Sequence, residues 1–250
     1  MESKVAHLFL VRDDLNHEPV WRRYFDGHEN RYSVHVHAKW PHQITSDWLR
    51  GHLIPEHCET EYARISLVEA ELLLLKAALQ DSSNQYFVLH SESCIPLRSF
   101  EAAYQHLFES GRSRMYYHQA NMERHSRVNT SVIGREHFQK ASQFFCLTRT
   151  HAQLVVEQLK LTDWTQAAHC PDEHCIPTTL SMHGRLGECL RGDVTFTHWP
   201  GGGQSPVTFH VLSPDHLNLL QKTSALFARK FARDSDIANQ VPMPSPEADV

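Results

Sequence analysis

Short runs of strand length alternate with runs of helix length from residue 5 to residue 199. Residues 5–11 (Val-Ala-His-Leu-Phe-Leu-Val) form a short apolar run that reads as a buried strand. In residues 32–37, Tyr32, Val34 and Val36 alternate with Ser33, His35 and His37, which is the period of a strand. Residues 19–25, aromatic and basic, read as a helix between them. The clearest helix is 67–79: Ser66 and Glu69 form a capping box, and Ala70, Leu73, Leu74, Ala77 and Ala78 share one face. After the break at Asp81-Ser82-Ser83-Asn84 come a strand at 86–90 and a helix at 100–108. Residues 111–134 are polar and weakly periodic, a long loop region with one or two strands. Then follow a strand at 142–147, a helix at 151–166, a short helix at Asp172, a strand at 194–199, the turn Pro200-Gly201-Gly202-Gly203 and a final helix at 215–231. The expected domain spans residues 1–233, and the polar, proline-containing residues 234–250 read as a disordered tail.

Strands alternating with helices predict an α/β domain with a mostly parallel central sheet flanked by helices. Such sheets bind ligands beyond the carboxyl ends of their strands. Arg12, His37 and the segment after His90 fall at three such ends and are expected to border one crevice.

The net charge of −5 gives no reason to expect a nucleic acid or an anionic membrane as partner. No signal peptide or transmembrane span is legible, since the first apolar run is too short to cross a bilayer and meets Arg12-Asp13-Asp14 at once. The six cysteines are too few for a disulfide scaffold in 250 residues and read as reduced thiols. Twenty histidines, spread along the chain, suggest a pH-sensitive surface.

The segment Cys170-Pro171-Asp172-Glu173-His174-Cys175-Ile176-Pro177-Thr178 concentrates the chemistry. Pro171 suits a first helical position, and Asp172 and Glu173 then fall in a first turn, where the helix dipole favours the carboxylate. That arrangement serves equally as a general base or as an ordinary helix start. His169, Cys170, His174 and Cys175 also allow a zinc-binding reading, although the two cysteines are spaced unlike a C-x₂₋₄-C hairpin; in a secreted protein Cys170 and Cys175 could pair instead.

Three segments in order carry a resemblance: Phe87-Val88-Leu89-His90-Ser91-Glu92-Ser93-Cys94-Ile95-Pro96-Leu97, the Pro-Asp-Glu-His segment around Glu173, and Leu226-Phe227-Ala228-Arg229-Lys230-Phe231. Residues 5–12 with 32–39, and 140–145, add weaker matches. The chain resembles the core-2/I-branching β-1,6-N-acetylglucosaminyltransferases (glycosyltransferase family 14), which include the peptide O-xylosyltransferases, and most closely their plant and algal branch. The resemblance implies a GT-A-like fold and an inverting transfer from a UDP-sugar, with N-acetylglucosamine or xylose as the sugar, to a hydroxyl of a glycan or glycoprotein.

By the same resemblance Glu173 is the catalytic base and Lys230 a diphosphate contact, with Arg229 second; Asp172 either orients Glu173 or caps its turn, capping being favoured. Position alone would make Arg229 and Lys230 the basic end of a helix. Val11, Arg12, Glu92 and Ser93 are expected at the nucleotide-sugar site, and His37 takes the place of an Asp of the branching enzymes at the uridine or ribose. Glu123, Arg124, Arg127 and Trp199 are the expected acceptor contacts. No Asp-x-Asp follows the strand ending at His90, and the resembled family works without a divalent metal, so no cofactor is expected. Asp234-Ser235-Asp236 lies in the expected tail and is set aside. The branching enzymes carry a further phosphate-binding Arg where this chain has Pro206-Val207-Thr208-Phe209-His210, in which Thr208 or His210 could donate instead. That departure keeps open an inactive nucleotide-sugar- or glycan-binding module. Family members are anchored in the Golgi by an N-terminal span, so the chain is expected to be a cytoplasmic enzyme if complete or a Golgi-lumenal one if truncated.

Overall fold

The structure is a computed structural model that describes residues 2–164, 170–201 and 205–237. In chain order its elements are β1 (Lys4–Val11), α1 (Glu18–Phe25), β2 (Tyr32–Ala38), α2 (Asp47–Arg50), α3 (Ile65–Leu79), β3 (Asn84–Ser91), β4 (Ile95–Pro96), α4 (Phe100–Ser110), β5 (Arg114–Met115), β6 (Tyr117–Gln119) and α5 (Met122–His125). There follow β7 (Gln139–Ala141), β8 (Cys146–Thr148), α6 (Arg149–Gln158), α7 (Cys175–Met182), β9 (Leu190–Arg191), β10 (Thr195–Thr197), α8 (Pro214–Lys222) and β11 (Phe227–Arg229).

Among the described residues the main sheet has six strands in the order β2-β1-β3-β8-β5-β9. β1 runs parallel to β2 and β3, and β5 parallel to β9, while β8 is antiparallel to both its neighbours. The composition of β1 follows from its place between two helical layers. Ala6 and Leu8 face a core built with α3, α6 and α7, whereas Val5, Phe9 and Val11 face a second core built with α1 and α4. A strand covered on both faces must be apolar on both, so it reads as a continuous run rather than an alternation. The register pairs Val11 with Ala38 and Leu10 with Ser91, which brings the carboxyl ends of the three parallel strands level.

A smaller sheet, β10-β11-β4, packs beside these ends. The expected helix 215–231 is corrected here. α8 stops at Lys222, and Ala225, Leu226, Phe227 and Ala228 are all buried, an environment that a one-faced surface helix cannot offer to four consecutive residues. The run becomes a strand, parallel to β10 and antiparallel to β4, so Arg229 and Lys230 end a strand rather than a basic helix.

Other expectations shift for local reasons. α3 has no side-chain cap: Arg64 holds the cap position, and the Ser66 hydroxyl accepts the N–H of Glu61 at 2.9 Å. Nor is α3 one-faced, since Val68, Glu71, Leu72 and Leu75 are buried along with Ala70, Leu74 and Ala78. α6 ends at Gln158; residues 165 and 166 of the expected helix and His169 of the zinc reading lie outside the described residues, as do Gly202, Gly203 and 238–250. Residues 234–237 of the expected tail still pack on the domain, with Ile237 buried beside Phe209 and Phe231, and Asp234 reaches His210 at 3.2 Å. Many histidines are not on the surface: His7, His17, His37, His90, His151 and His174 are buried. Among the described residues no helix is long and apolar enough to cross a membrane.

Candidate active site

Two adjoining cavities open at the carboxyl ends of β1, β3 and β11. The first, about 520 Å³, is lined by Val11 and Arg12 after β1, Ser91, Glu92 and Ser93 after β3, and Arg229 and Lys230 at the end of β11. The smaller sheet delivers those last two: β11 is clamped between β10 and β4, and the next residue, Phe231, donates its N–H to Ser93 O at 3.0 Å. Asn16 ties the same turn from the other side, its Nδ2 donating to Phe231 O at 2.7 Å.

Among the described residues Arg12, Lys39, Arg229, Lys230 and Arg233 all line this cavity, against the carboxylates of Glu61, Glu92 and Asp172. Several of the cations are already engaged. Arg12 Nε donates to Glu92 Oε1 at 2.8 Å, and Arg233 binds Asp13 and the Asp14 carbonyl, bracing the turn after β1. The Arg229 guanidinium lies 4.5 Å from the centre of the Phe144 ring. Lys230 makes no ion pair among the described residues; burial and the Arg229 charge push its ammonium below the usual lysine range. A half-buried ammonium beside a second cation is unfavourable alone and is relieved by an anion.

The second cavity, about 420 Å³, holds Glu173. Glu173 closes a single 3-10 turn, Pro171–Glu173, that leads into α7, so the expected short helix is one tight turn before the true helix. Its Oε2 takes Arg124 Nη1 at 3.3 Å and Lys140 Nζ at 3.2 Å. Arg124 is itself held by His174, whose Nε2 accepts from Arg124 Nη1 at 3.2 Å while Nδ1 donates to Gln139 O at 2.7 Å. That pattern needs a neutral ring protonated at Nδ1. Burial agrees, pushing His174 down to about 4, and the ring stacks on Phe138 at 4.8 Å.

The wall between the cavities belongs to both. Tyr62, Gln143, Asp172, Arg229 and Lys230 line each of them. The loop carrying Tyr62 is fixed to the Glu173 turn by a hydrogen bond from Cys170 N to Ala63 O (3.3 Å), and both of these residues adopt left-handed backbone, at φ 51° and 58°. Strained non-glycine backbone of this kind persists where surrounding structure fixes it, and here it holds the rim of the cavity. Trp199, Tyr116 and Tyr62, all solvent-exposed, frame the outer part of the second cavity.

Of the sequence-predicted residues, Val11, Arg12, Glu92, Ser93, Arg229 and Lys230 share the first cavity, and Glu173 and Trp199 the second. His37 lines neither. Its Nε2 accepts the Cys58 N–H at 3.2 Å and its ring stacks on His57 at 4.9 Å, so it is covered by the loop after β2 rather than open to the crevice. Arg124 reaches Glu173 rather than either cavity wall, and Glu123 and Arg127 pair with each other at 3.3 Å on the surface. Cys170 and Cys175 are free thiols, and Cys175 is fully buried. Among the described residues no three His, Cys, Asp or Glu side chains converge as a metal-ligand set. Thr208 does line the first cavity, whereas His210 turns to Asp234.

Residues 5–221 match the family described as Core-2/I-Branching enzyme. The chain belongs to that family. Glycosyltransferase BC10 of rice (Oryza sativa subsp. japonica) is 30% identical over 230 residues, a match that takes in 79% of this chain and 58% of that relative. The chain therefore spans little more than half the length of the curated relative it matches. The mixed α/β architecture of this Core-2/I-Branching family member, with its mostly parallel six-stranded sheet, is GT-A-like. Arg229 and Lys230 lie beyond the matched range, so their place at the cavity rests on the geometry of β11.

Sequence reasoning missed Lys39, Tyr62, Lys140 and Arg233, and undervalued Asp172 and Gln143. Lys39 follows directly on β2, a strand end that the alternating pattern did mark. Lys140 stands three residues before Gln143 in a segment recognised only as a weak family match. Tyr62 sits in a loop without period, and no local signal points to it.

Proposed function

We propose that this chain is an inverting glycosyltransferase that moves a sugar from a UDP-sugar to a hydroxyl of a glycan or glycoprotein, with Glu173 as base and without a divalent metal. The observation that carries the reading is the adjacency of the two cavities: the first gathers Arg12, Lys39 and Arg233, the second holds Glu173, and Arg229 and Lys230 stand in the wall they share. In a single displacement the acceptor hydroxyl attacks the anomeric carbon opposite the departing nucleotide. Base and leaving group must therefore stand on opposite sides of the sugar; in this reading Glu173 meets the acceptor from the second cavity and the diphosphate lies in the first, beyond the shared wall.

Glu173 takes the hydroxyl proton as the bond forms, a contribution of about 10²–10⁴-fold in comparable proton transfers. Negative charge grows on the diphosphate as the old bond breaks. Lys230, Arg229, Arg12 and Lys39 supply fixed positive charge there, the role that a metal ion fills elsewhere. On the acceptor side, Trp199, Tyr116 and Tyr62 offer aromatic faces of the kind on which sugar rings pack. The family membership and the rice relative's name support glycosyl transfer as the reaction class.

The test is a thermal-shift and titration panel of UDP, GDP, CMP and UDP-sugars, each with EDTA and with Mn²⁺. A ligand that binds the folded state raises the midpoint by mass action. Stabilisation by UDP that survives EDTA is expected. Stabilisation that requires Mn²⁺ would remove the metal-free part of the proposal, and no shift with any nucleotide would remove the whole.

A further inference from the structure

The loop that leads into α3 supplies Thr60, Glu61 and Tyr62 to the first cavity, and Tyr62 to the second as well. Residues 55–64 contain no helix or strand, and the Tyr62 ring stands at 87% exposure. A segment so exposed keeps one shape only where its backbone is tied to something rigid. On the far side the ties run to α3 and to the Glu173 turn: the Ser66 hydroxyl accepts the Glu61 N–H at 2.9 Å, and Ala63 O accepts the Cys170 N–H at 3.3 Å.

On the side of the main sheet the ties are made by two histidines. His37, at the carboxyl end of β2, accepts the Cys58 N–H on Nε2 at 3.2 Å. The Cys58 thiol lies 3.7 Å from the same nitrogen and donates to Ser66 O, also at 3.7 Å. His57 lies flat on His37, with 4.9 Å between ring centres and 2° between planes, and its Nε2 donates to Ala38 O at 2.9 Å. Acceptance at Nε2 requires a neutral His37 ring protonated at Nδ1. Burial keeps it neutral, pushing His37 down to about 4. Its Nδ1 is buried and meets no polar atom of another residue. A buried imidazole is costly unless it is hydrogen-bonded, so packing alone would be served better by an aliphatic side chain. What the ring adds at this place is an acceptor for the loop.

We infer that His37 is a positioning residue of the nucleotide-sugar site: with His57 stacked on it, it clasps residues 57–63 to the end of β2 and so fixes the rim formed by Thr60, Glu61 and Tyr62. The clasp stands on its own hydrogen bonds, while its effect on UDP rests on the nucleotide-sugar reading above. A rim ordered in advance spares the ligand the entropy of ordering it, so loosening the clasp weakens binding without removing a ligand contact.

The experiment combines hydrogen exchange read by mass spectrometry with UDP calorimetry on wild-type protein, His37→Leu and His37→Gln. Leucine keeps much of the bulk but cannot accept; glutamine can bring an amide oxygen to the place of Nε2. The leucine variant should exchange about fivefold or more faster over residues 57–63 and bind UDP about fivefold or more weakly, the scale of one lost hydrogen bond. β1 and β3 should keep their protection, and the glutamine variant should return both readouts to within about twofold of wild type. Equal acceleration across the whole domain would make His37 an ordinary core residue and overturn the proposal, as would unchanged exchange over 57–63 or a glutamine variant no better than leucine.

Should His37→Leu fail to fold, His57→Ala serves, since His57 is exposed and its loss removes only the stacked ring and the bond to Ala38 O. Exchange over 57–63 should again rise, and no change there would overturn the clasp. If wild-type protein binds no UDP, the nucleotide-sugar reading falls and exchange alone decides the clasp. If exchange rises over 57–63 while UDP affinity holds, that reading stands and the positioning role falls.

Discussion

Glu173 meets Arg124 and Lys140 on the same oxygen, Oε2, and Arg124 is held in turn by a neutral His174. Three residues from three different segments therefore fix one carboxylate, which is what a base needs to meet a hydroxyl in a single geometry. Position 173 is the place to separate proton transfer from donor binding, because Glu173 lines only the cavity without the strand-end cation Arg12. Glu173→Gln keeps size and hydrogen-bonding capacity but removes the carboxylate proposed as base. Transfer is expected to fall by about 10²–10⁴-fold, with UDP affinity within about twofold of wild type, measured by turnover assay and calorimetry. A folded variant that no longer binds UDP would place Glu173 at the nucleotide instead. At this scale the sequence was informative where chemistry and order coincide, as in the Pro-Asp-Glu-His segment. It was silent on Lys140 and Tyr62, whose roles depend on which distant segments fold against them.

At the scale of elements, the decisive feature is β11. Residues 225–228 are apolar in every position, and such a short run cannot be assigned to strand or helix by periodicity alone. The preceding α8 pattern pulled the reading toward a continued helix; the neighbouring strands β4 and β10, far away in sequence, make it a strand. β1, β2, β3, α3 and α4 were legible because their period or length is unambiguous within the segment. The strand matters for function because it carries Lys230 to the cavity on a clamped backbone, with Phe227 buried against Trp21 and His90. Lys230→Ala should therefore leave the fold intact and weaken UDP by about tenfold or more, the loss expected for one charge-assisted contact. Uridine, which lacks the diphosphate, should bind as before. Calorimetry with the two ligands checks this, and equal effects on both would take Lys230 away from the phosphates.

For the whole molecule, the histidine-rich composition acquires a different meaning from the surface sensitivity it suggested. Burial pushes His7 down to about 3 and His35, His37 and His174 down to about 4, and it lowers His17, His90 and His151 as well. His7 and His90 sit side by side in the core, Nδ1 to Nε2 at 3.0 Å, with no room for a second proton between them. Each of these rings is neutral when folded and free to protonate near pH 6.5 when unfolded. Below that value the unfolded chain binds more protons than the folded one, so stability rises with pH and is lost as pH falls. The loss begins near pH 6.5 and continues until the folded-state values near 4 and 3 are reached. Glu71, Asp172 and Asp193 work in the opposite direction: burial raises each carboxyl above the ordinary value, Asp172 to about 7, so their contributions are complete in acid and fade as pH rises. Three carboxyls do not offset seven rings, because each depressed histidine adds up to about 1.4 kcal/mol per pH unit. The melting temperature is therefore expected to fall by at least about 5 °C between pH 7 and pH 5, a loss of a few kcal/mol in a domain of this size. Thermal melts across that range check it. A flat profile would mean that the buried rings already carry their protons in the folded state, and with them that His174 does not hold Arg124 through a neutral Nε2.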